Sequence, residues 1–172
     1  MRKSLLLIFV ILATSLNSYA QMPTAKYQGD VQLGYSLGIG TYSANRVNLH
    51  MINSIRIGEY FSTGLGVGLD YYHEGVETDE LALPLYLNLK GYYPVSSQAE
   101  LFLSTDIGVS IGLTEGISGY SGFLFTPSIG TRVKIYNDKA ILLSLGYHMQ
   151  KWSESGFSIN TDAIQFKVGF SF

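Results

Sequence analysis

The sequence predicts an all-β protein, an eight-stranded antiparallel up-and-down transmembrane β-barrel. Polar and apolar residues alternate along one segment after another, the period of strands with one apolar face. Only 14% of the 172 residues are charged, where a soluble domain carries about 25%. No apolar run reaches the roughly 18 residues of a membrane-spanning helix, and the chain has no Cys. Disordered chains, disulfide scaffolds and helical membrane proteins are therefore excluded.

The N-terminus has the pattern of a secretory signal peptide. Arg2 and Lys3 provide the positive start, an apolar stretch of nine residues follows at 5–13, and small residues lead up to Ala20. The apolar stretch is too short to cross a bilayer of about 30 Å as a helix. We expect cleavage between Ala20 and Gln21. The chain is thereby divided into a signal peptide, residues 1–20, and a β-barrel domain, residues 21–172.

Eight alternating segments follow in order, and each is predicted to be a strand. They run from Gly29 to Ile39, Val47 to Ile57, Phe61 to Tyr71, Leu81 to Leu89, Leu101 to Ile111, Phe123 to Ile135, Ile141 to Tyr147 and Ile164 to Phe172. Seven segments rich in turn-forming residues separate them. These are Thr41–Asn45, Gly58–Tyr60, His73–Thr78, Pro94–Gln98, Leu113–Gly122, Tyr136–Lys139 and Gln150–Asn160. About 19 residues for each strand and its connection suit strands of about 10 residues tilted across a membrane.

The composition of the two faces predicts which one meets lipid. The apolar face is bulky on every strand, whereas the polar face is built largely from Gly, Ser, Asn and Gln. A soluble lipocalin-like carrier of hydrophobic ligands would instead turn its apolar face inward and present charge to water. Charges of both signs on the polar face predict a salt-bridged plug, because unpaired charges in a narrow lumen are costly. The predicted lumenal network comprises Asp30, Arg56, Asp70, Lys90, Asp106, Arg132, Lys134 and Lys167.

Aromatic residues gather near the predicted turns, which suggests a girdle at each membrane interface. The periplasmic girdle would contain Tyr60, Phe61, Tyr92, Tyr93, Tyr136, Phe170 and Phe172, and the outer one Tyr42, Tyr71, Tyr72, Tyr120, Phe123, Trp152 and Phe157. Pro84 and Pro127 interrupt strand patterns, so we expect a bulge or a strand end beside each. Gly64, Gly66 and Gly68 would leave lumenal room for large neighbouring side chains.

The whole mature chain resembles the small outer-membrane β-barrel proteins abundant in Bacteroidota, an architecture shared with OmpA- and OmpX-type barrels. The resemblance rests on the leader, the eight strands, the segment 83–90 (LPLYLNLK) and the ending 167–172 (KVGFSF). It implies the outer membrane of a Gram-negative bacterium, with lipid and lipopolysaccharide as surroundings. It also implies that the barrel-assembly machinery reads Val168, Phe170 and Phe172 during insertion.

The resulting functional hypothesis is a non-enzymatic barrel with a structural or surface-interaction role and no cofactor or metal. A small porin-like pore is the alternative. A lipid A-modifying enzyme is a further one, because His50 and His148 lie four positions from Ser54 and Ser144. The lipid A deacylase motif, with Ser two residues after His, is not met at His148. No cluster of Lys and Arg indicates a nucleic-acid partner.

Overall fold

The structure, a computed structural model, describes residues 24–40, 44–74, 79–114, 120–154 and 157–172. The strands are β1 (Ala25–Ile39), β2 (Asn45–Ile57), β3 (Phe61–Glu74), β4 (Glu80–Pro94), β5 (Ala99–Gly112), β6 (Ser121–Tyr136), β7 (Lys139–Glu154), β8 (Phe157–Asn160) and β9 (Asp162–Ser171). Within these residues no helix is long and apolar enough to span a bilayer. The predicted cleavage site at Ala20 and Gln21 lies outside the described residues.

The sheet closes on itself, and this confirms the predicted fold class. From β2 to β8 each strand pairs antiparallel with the one before it, and β9 pairs with both β7 and β1. The short strand β8 pairs with the end of β7 in the register that β9 continues, so the two together form the eighth strand. Following the paired residues once around the sheet from Lys26 leads back to β1 at Ser36, ten residues further along. This stagger requires strands that tilt against the barrel axis.

The two ends of the barrel differ in their connections. At one end, called the turn end below, the short segments 58–60, 95–98 and 137–138 join the strands. The N-terminal end of β1 and the C-terminal end of β9 also lie there. Gly58 and Asn137 have φ angles of 63° and 51°, a conformation that Gly and Asn adopt most readily in tight turns. At the other end, called the loop end, β1, β3, β5 and β7 end and β2, β4, β6 and β8 begin.

Alternation along the strands sorts the side chains between two environments. On β2, Leu49 and Met51 are exposed on the outer surface, whereas Asn48, His50 and Ile52 are buried in the lumen. The same alternation is present on every long strand, with even-numbered residues inside from β1 to β7 and odd-numbered ones inside on β9. The apolar band therefore faces outward, as in a transmembrane barrel. This arrangement is the opposite of the apolar interior that a soluble carrier requires.

Three residues predicted for the aromatic girdles are buried in the lumen instead, and Tyr120 packs against the lumenal cluster that contains Tyr72 and Trp152. Tyr72, Tyr92 and Trp152 are 3%, 5% and 7% exposed. Each is even-numbered on its strand, so alternation points the ring inward even though the residue stands near a turn. Distance from a turn was the wrong criterion for these rings, because it ignores the face on which they lie. Tyr42 of the predicted outer girdle lies outside the described residues.

The two prolines within strands neither end a strand nor shift its register, so the expected bulges are absent at both. Around Pro84, between Ala82 and Leu85, the residues of β4 are not paired with β3, and the pairing resumes in the same register. In the same way, the pairing of β6 with β7 is interrupted at Pro127, between Phe125 and Ser128. Each proline still pairs with its other neighbouring strand. Because proline has no backbone N–H group, pairing is lost locally on one side, while the surrounding strand pairing holds the strand in place.

Candidate functional site: the barrel lumen and its turn-end mouth

Large rings fill the lumen because glycine stands beside them on the neighbouring strand. Tyr86 pairs in register with Gly66 on one side and Gly108 on the other. A Cβ atom on Gly66 would collide with the Tyr86 ring, and one on Gly108 with the backbone of β4. The same relation joins His50 to Gly68, Phe102 to Gly130 and Trp152 to Gly122. The expected lumenal role of the glycines on β3 is thus observed at Gly66 and Gly68.

Three buried apolar clusters occupy successive levels of the lumen. The one at the loop end comprises Ala44, Tyr72, Ala82 and Trp152, with Tyr120 packed against it. The middle one comprises Ile52, Tyr86 and Leu124. The one toward the turn end comprises Tyr92, Phe102 and Leu142. The residues of these clusters are at most 7% exposed, so side chains fill the lumen at these three levels.

Among the residues that the structure describes, Lys90 and Asp30 form the most buried ion pair of the lumen. Lys90 Nζ lies 2.7 Å from Asp30 Oδ2, and the two side chains are 1% and 0% exposed. Gln28 Nε2 also donates to Asp30 and to the Tyr92 hydroxyl. The Lys90 ammonium lies 5.2 Å from the centre of the Phe102 ring. Asp30 and Gln28 belong to β1, whereas Lys90 and Tyr92 belong to β4, so these contacts connect two strands that are not neighbours in the sheet.

A second and a third carboxylate lie deeper toward the loop end. Asp106 accepts a hydrogen bond of 2.6 Å from Asn88 Nδ2 and lies 3.5 Å from Lys167 Nζ. Asp70 accepts a hydrogen bond of 2.6 Å from Asn48 Nδ2. It also lies 2.9 Å from His50 Nε2. A lumenal histidine bonded to a carboxylate is the structural role expected of such a residue.

Arg46 is a buried lumenal charge that the predicted network did not include. It is fully buried, and its Nη1 donates to the Tyr72 hydroxyl at 2.8 Å, with the guanidinium 5.0 Å from that ring. Its Nε and Nη2 make no hydrogen bond with the described residues. The alternation pattern alone is enough to place Arg46 inside, because Arg46 and Arg56 are both even-numbered residues of β2 and so lie on the same face.

At the turn end, one carboxylate binds three cations. Glu100 accepts two hydrogen bonds from Arg56, at 3.0 and 3.1 Å. Arg132 Nη1 lies 3.2 Å and Lys134 Nζ 3.0 Å from the same carboxylate. Arg56 and Arg132 also donate to the backbone carbonyls of Glu59 and Asp138. Glu100 is not part of the predicted network, and its register pairing with Arg132 explains its position.

The predicted network of eight charges is thus divided among four carboxylates. Asp30 is paired with Lys90, and Asp106 with Lys167. Asp70 is paired with His50, which the network did not include. Arg56, Arg132 and Lys134 converge on Glu100. Alternation indicated which side chains face inward, but the choice of partner depends on the stagger between strands.

Three of the four serine and histidine candidates are engaged with other partners. Ser54 Oγ donates to the Gln28 carbonyl, while His50 is bonded to Asp70 and to Tyr86. His148 is bonded to Thr126 and Gln150. Both histidines are buried in the lumen, whereas a lipid-modifying site must meet its substrate at the outer surface. In the part of the chain described, no group of three or more His, Asp or Glu is placed to bind a metal.

The residues predicted as an assembly signal lie on the outer wall at the turn end. Val168, Phe170 and Phe172 are 57%, 42% and 41% exposed, and the rings of Phe170 and Phe172 are 6.3 Å apart. Phe172 also exchanges two backbone hydrogen bonds of 2.8 Å with Gly29. The terminal residue thereby extends the β9–β1 pairing that closes the barrel. Its part in assembly stays a prediction.

Solved structures share this architecture, although no family model and no curated protein matches the chain. Neisserial surface protein A is 10% identical, with a TM-score of 0.68 over 86% of this chain and 97% of that one. The chain has the fold of the small outer-membrane β-barrels. The outer membrane protein OprG of Pseudomonas aeruginosa is 9% identical, with a TM-score of 0.53 over 88% of this chain and 96% of that one.

An enzyme with the same fold is also among the similar structures. The outer membrane enzyme PagL is 12% identical, with a TM-score of 0.51 over 83% of this chain and 98% of that one. At such identities the likeness concerns the fold alone. Activity must therefore be argued from the lumen and the outer surface of this chain.

Proposed function

We propose that the chain is a non-enzymatic integral barrel of a Gram-negative outer membrane, with a structural or surface-interaction role. The observation that carries this proposal is the sorting of side chains: apolar residues face outward, and three apolar clusters with paired charges fill the lumen. A filled interior supports a membrane component whose working surfaces are its wall and its two rims. Lipid and lipopolysaccharide are the proposed surroundings, and a protein partner at a rim is the further possibility.

In this proposal the turn end faces the periplasm and the loop end faces outward. Short periplasmic turns and longer outer loops are the rule in outer-membrane barrels, and the connections of this chain have that asymmetry. The Bacteroidota type is part of the same proposal and rests on the sequence resemblance. Export through a cleaved signal peptide also belongs to it.

The proposal is tested by fractionating cells that express the full chain and running the membrane fraction on a gel with and without boiling. A closed barrel has no free strand edge, so it should stay folded in detergent and migrate differently once heat opens it. We expect the chain in the outer membrane with a heat-dependent shift. A soluble, unshifted chain would overturn the proposal.

The absence of enzymatic activity has its own test, and the alternative of a lipid A-modifying enzyme makes lipid A the substrate class to examine. We expect the mass spectrum of lipid A to be unchanged after overexpression, since His50 and His148 are engaged inside the lumen. A new lipid A species that disappears with His148→Asn would establish an enzyme instead. His50→Asn is the second variant, because either histidine could serve as the base.

The proposed assembly role of the last strand is tested by Phe172→Ala, with Val133→Ala on the outer face of β6 as a comparison. Both side chains are 41% exposed on the wall near the turn end. We expect only the Phe172 variant to accumulate outside the outer membrane. Equal insertion of both variants would contradict a signal at the terminal residue.

A further inference from the structure

A cavity of about 710 Å³ lies at the turn-end mouth of the lumen. It is bounded by turn residues and by the ionic cluster around Glu100, and we call it the Glu100 vestibule. Four cationic side chains line it: Lys26, Arg56, Arg132 and Lys134. The acidic residues that line it are Glu59, Glu100 and Asp138.

The buried part of the Glu100 vestibule carries more positive than negative charge. Glu100 is 3% exposed and is the acceptor for three cations. Arg56 and Arg132 are themselves 13% and 4% exposed. Glu59 and Asp138 do not offset this excess, because both are exposed. Asp138 lies 3.8 Å from Lys26, in an exposed pair of little energetic weight. Buried charge is costly unless it is paired, so the vestibule favours an added anion.

The donors of the vestibule suit an oxyanion. Arg132 is held by Glu100 and by the Asp138 carbonyl through its two terminal nitrogens, while its buried Nε makes no hydrogen bond with the described residues. Lys134 is 37% exposed and accessible from the mouth. A fixed guanidinium next to an ammonium matches the oxygen geometry of phosphate.

We infer that the Glu100 vestibule binds a phosphate-type oxyanion, with Arg132, Lys134 and Lys26 as donors. Glu100 acts as the positioning residue, because it is hydrogen-bonded to both guanidinium groups and holds them in place. The oxyanion would be a free phosphate or a phosphate of a lipid headgroup, since both offer the same oxygens. This site goes beyond the proposed structural role and does not depend on it.

Binding is tested by NMR on the refolded barrel, following the arginine side-chain Nε–H resonances. One arm titrates inorganic phosphate into protein in a sugar-based detergent without phosphate groups. The other compares nanodiscs with and without phosphatidylglycerol. A saturable shift of the Arg132 signal is expected in at least one arm, and the responding arm identifies the source of the phosphate.

The test variant is Lys26→Gln with Lys134→Gln, which leaves Glu100 bonded to both arginines. The matched control is Lys139→Gln, an exposed lysine at the same end that does not line the vestibule. Affinity should fall roughly tenfold or more in the test variant, because charge-assisted bonds are lost, and should be unchanged in the control. The heat-dependent gel shift verifies that both variants are folded.

Two results would overturn the inference. One is the lack of a saturable Arg132 shift in both arms with folded wild-type protein. The other is a shift that weakens equally in the test variant and in Lys139→Gln, which would indicate general attraction of anions to the surface. A variant that fails to fold is replaced by Lys134→Gln alone, since this lysine is half-exposed and only one of three cations on Glu100.

Discussion

The wall and the lumen of this barrel are built from alternate residues of the same strands, yet they specify the structure in different ways. On β4, Leu85 and Leu87 face outward and need only be apolar, because lipid conforms to them. On the same strand Tyr86 and Lys90 face inward, where Tyr86 is hydrogen-bonded to His50 and Lys90 is paired with Asp30. The wall therefore tolerates the exchange of one apolar residue for another, whereas the packing of the lumen depends on the particular partners of each side chain.

The comparison is tested most strongly at the buried ion pair. Lys90→Met should lower the free energy of unfolding by about 3–5 kcal/mol, because it leaves the fully buried Asp30 carboxylate without its cation. Lys26→Met removes the exposed partner of Asp138 and should cost less than about 1 kcal/mol. Urea unfolding in lipid vesicles measures both values.

The double variant Asp30→Asn with Lys90→Met separates the loss of the pair from the burial of an unpaired charge. It should recover most of the stability lost in Lys90→Met, because a neutral amide replaces the unpaired carboxylate. Equal costs for Lys90→Met and Lys26→Met would contradict the distinction between the lumenal pair and the one at the rim.

The second prediction concerns the wall itself. Leu87→Arg places a charge on the lipid face near the middle of β4 and should cost about 2–4 kcal/mol in a bilayer. Leu87→Ile keeps the apolar class and should leave the unfolding midpoint nearly unchanged. An unaffected arginine variant would mean that this face does not meet lipid.

The third prediction compares two glycines on opposite faces. Gly66→Ala should cost about 1–3 kcal/mol, because the new methyl group collides with the Tyr86 ring in the lumen. Gly91→Ala is the control on the outer face, where the nearest atom to the new methyl group would be the Tyr60 carbonyl oxygen at 3.9 Å. Thermal unfolding in detergent would show a lower midpoint for Gly66→Ala alone, and matching midpoints would argue against tight lumenal packing.

The smallest effect is expected at a polar contact on the outer surface. The Tyr27 hydroxyl donates to Asn53 Oδ1 at 2.7 Å, and both residues are exposed on the outer face near the turn end. Tyr27→Phe should therefore cost about 1 kcal/mol or less. A loss comparable with that of Lys90→Met would show that specific partners matter on the wall as well.

The same contrast explains how much of the molecule the sequence could predict. Strand number, sidedness and turn positions follow from alternation and turn-forming residues, so β2 and β3 lie close to their predicted bounds. Alternation assigns Tyr72, Tyr92 and Trp152 to the inner face, whereas their distance from a turn wrongly assigns them to the aromatic girdles. Partners such as Glu100 for Arg56 could not be predicted, since the two strands are not neighbours and the contact depends on barrel stagger.

The central claim, that the lumen is closed, is tested most directly by conductance in planar bilayers. Wild-type barrel and Asp106→Ala, which removes the partner of Lys167, should both be silent, because the three apolar clusters remain in place. Stepwise conductance of the wild type, increased by Asp106→Ala, would contradict the closed lumen and establish a small pore.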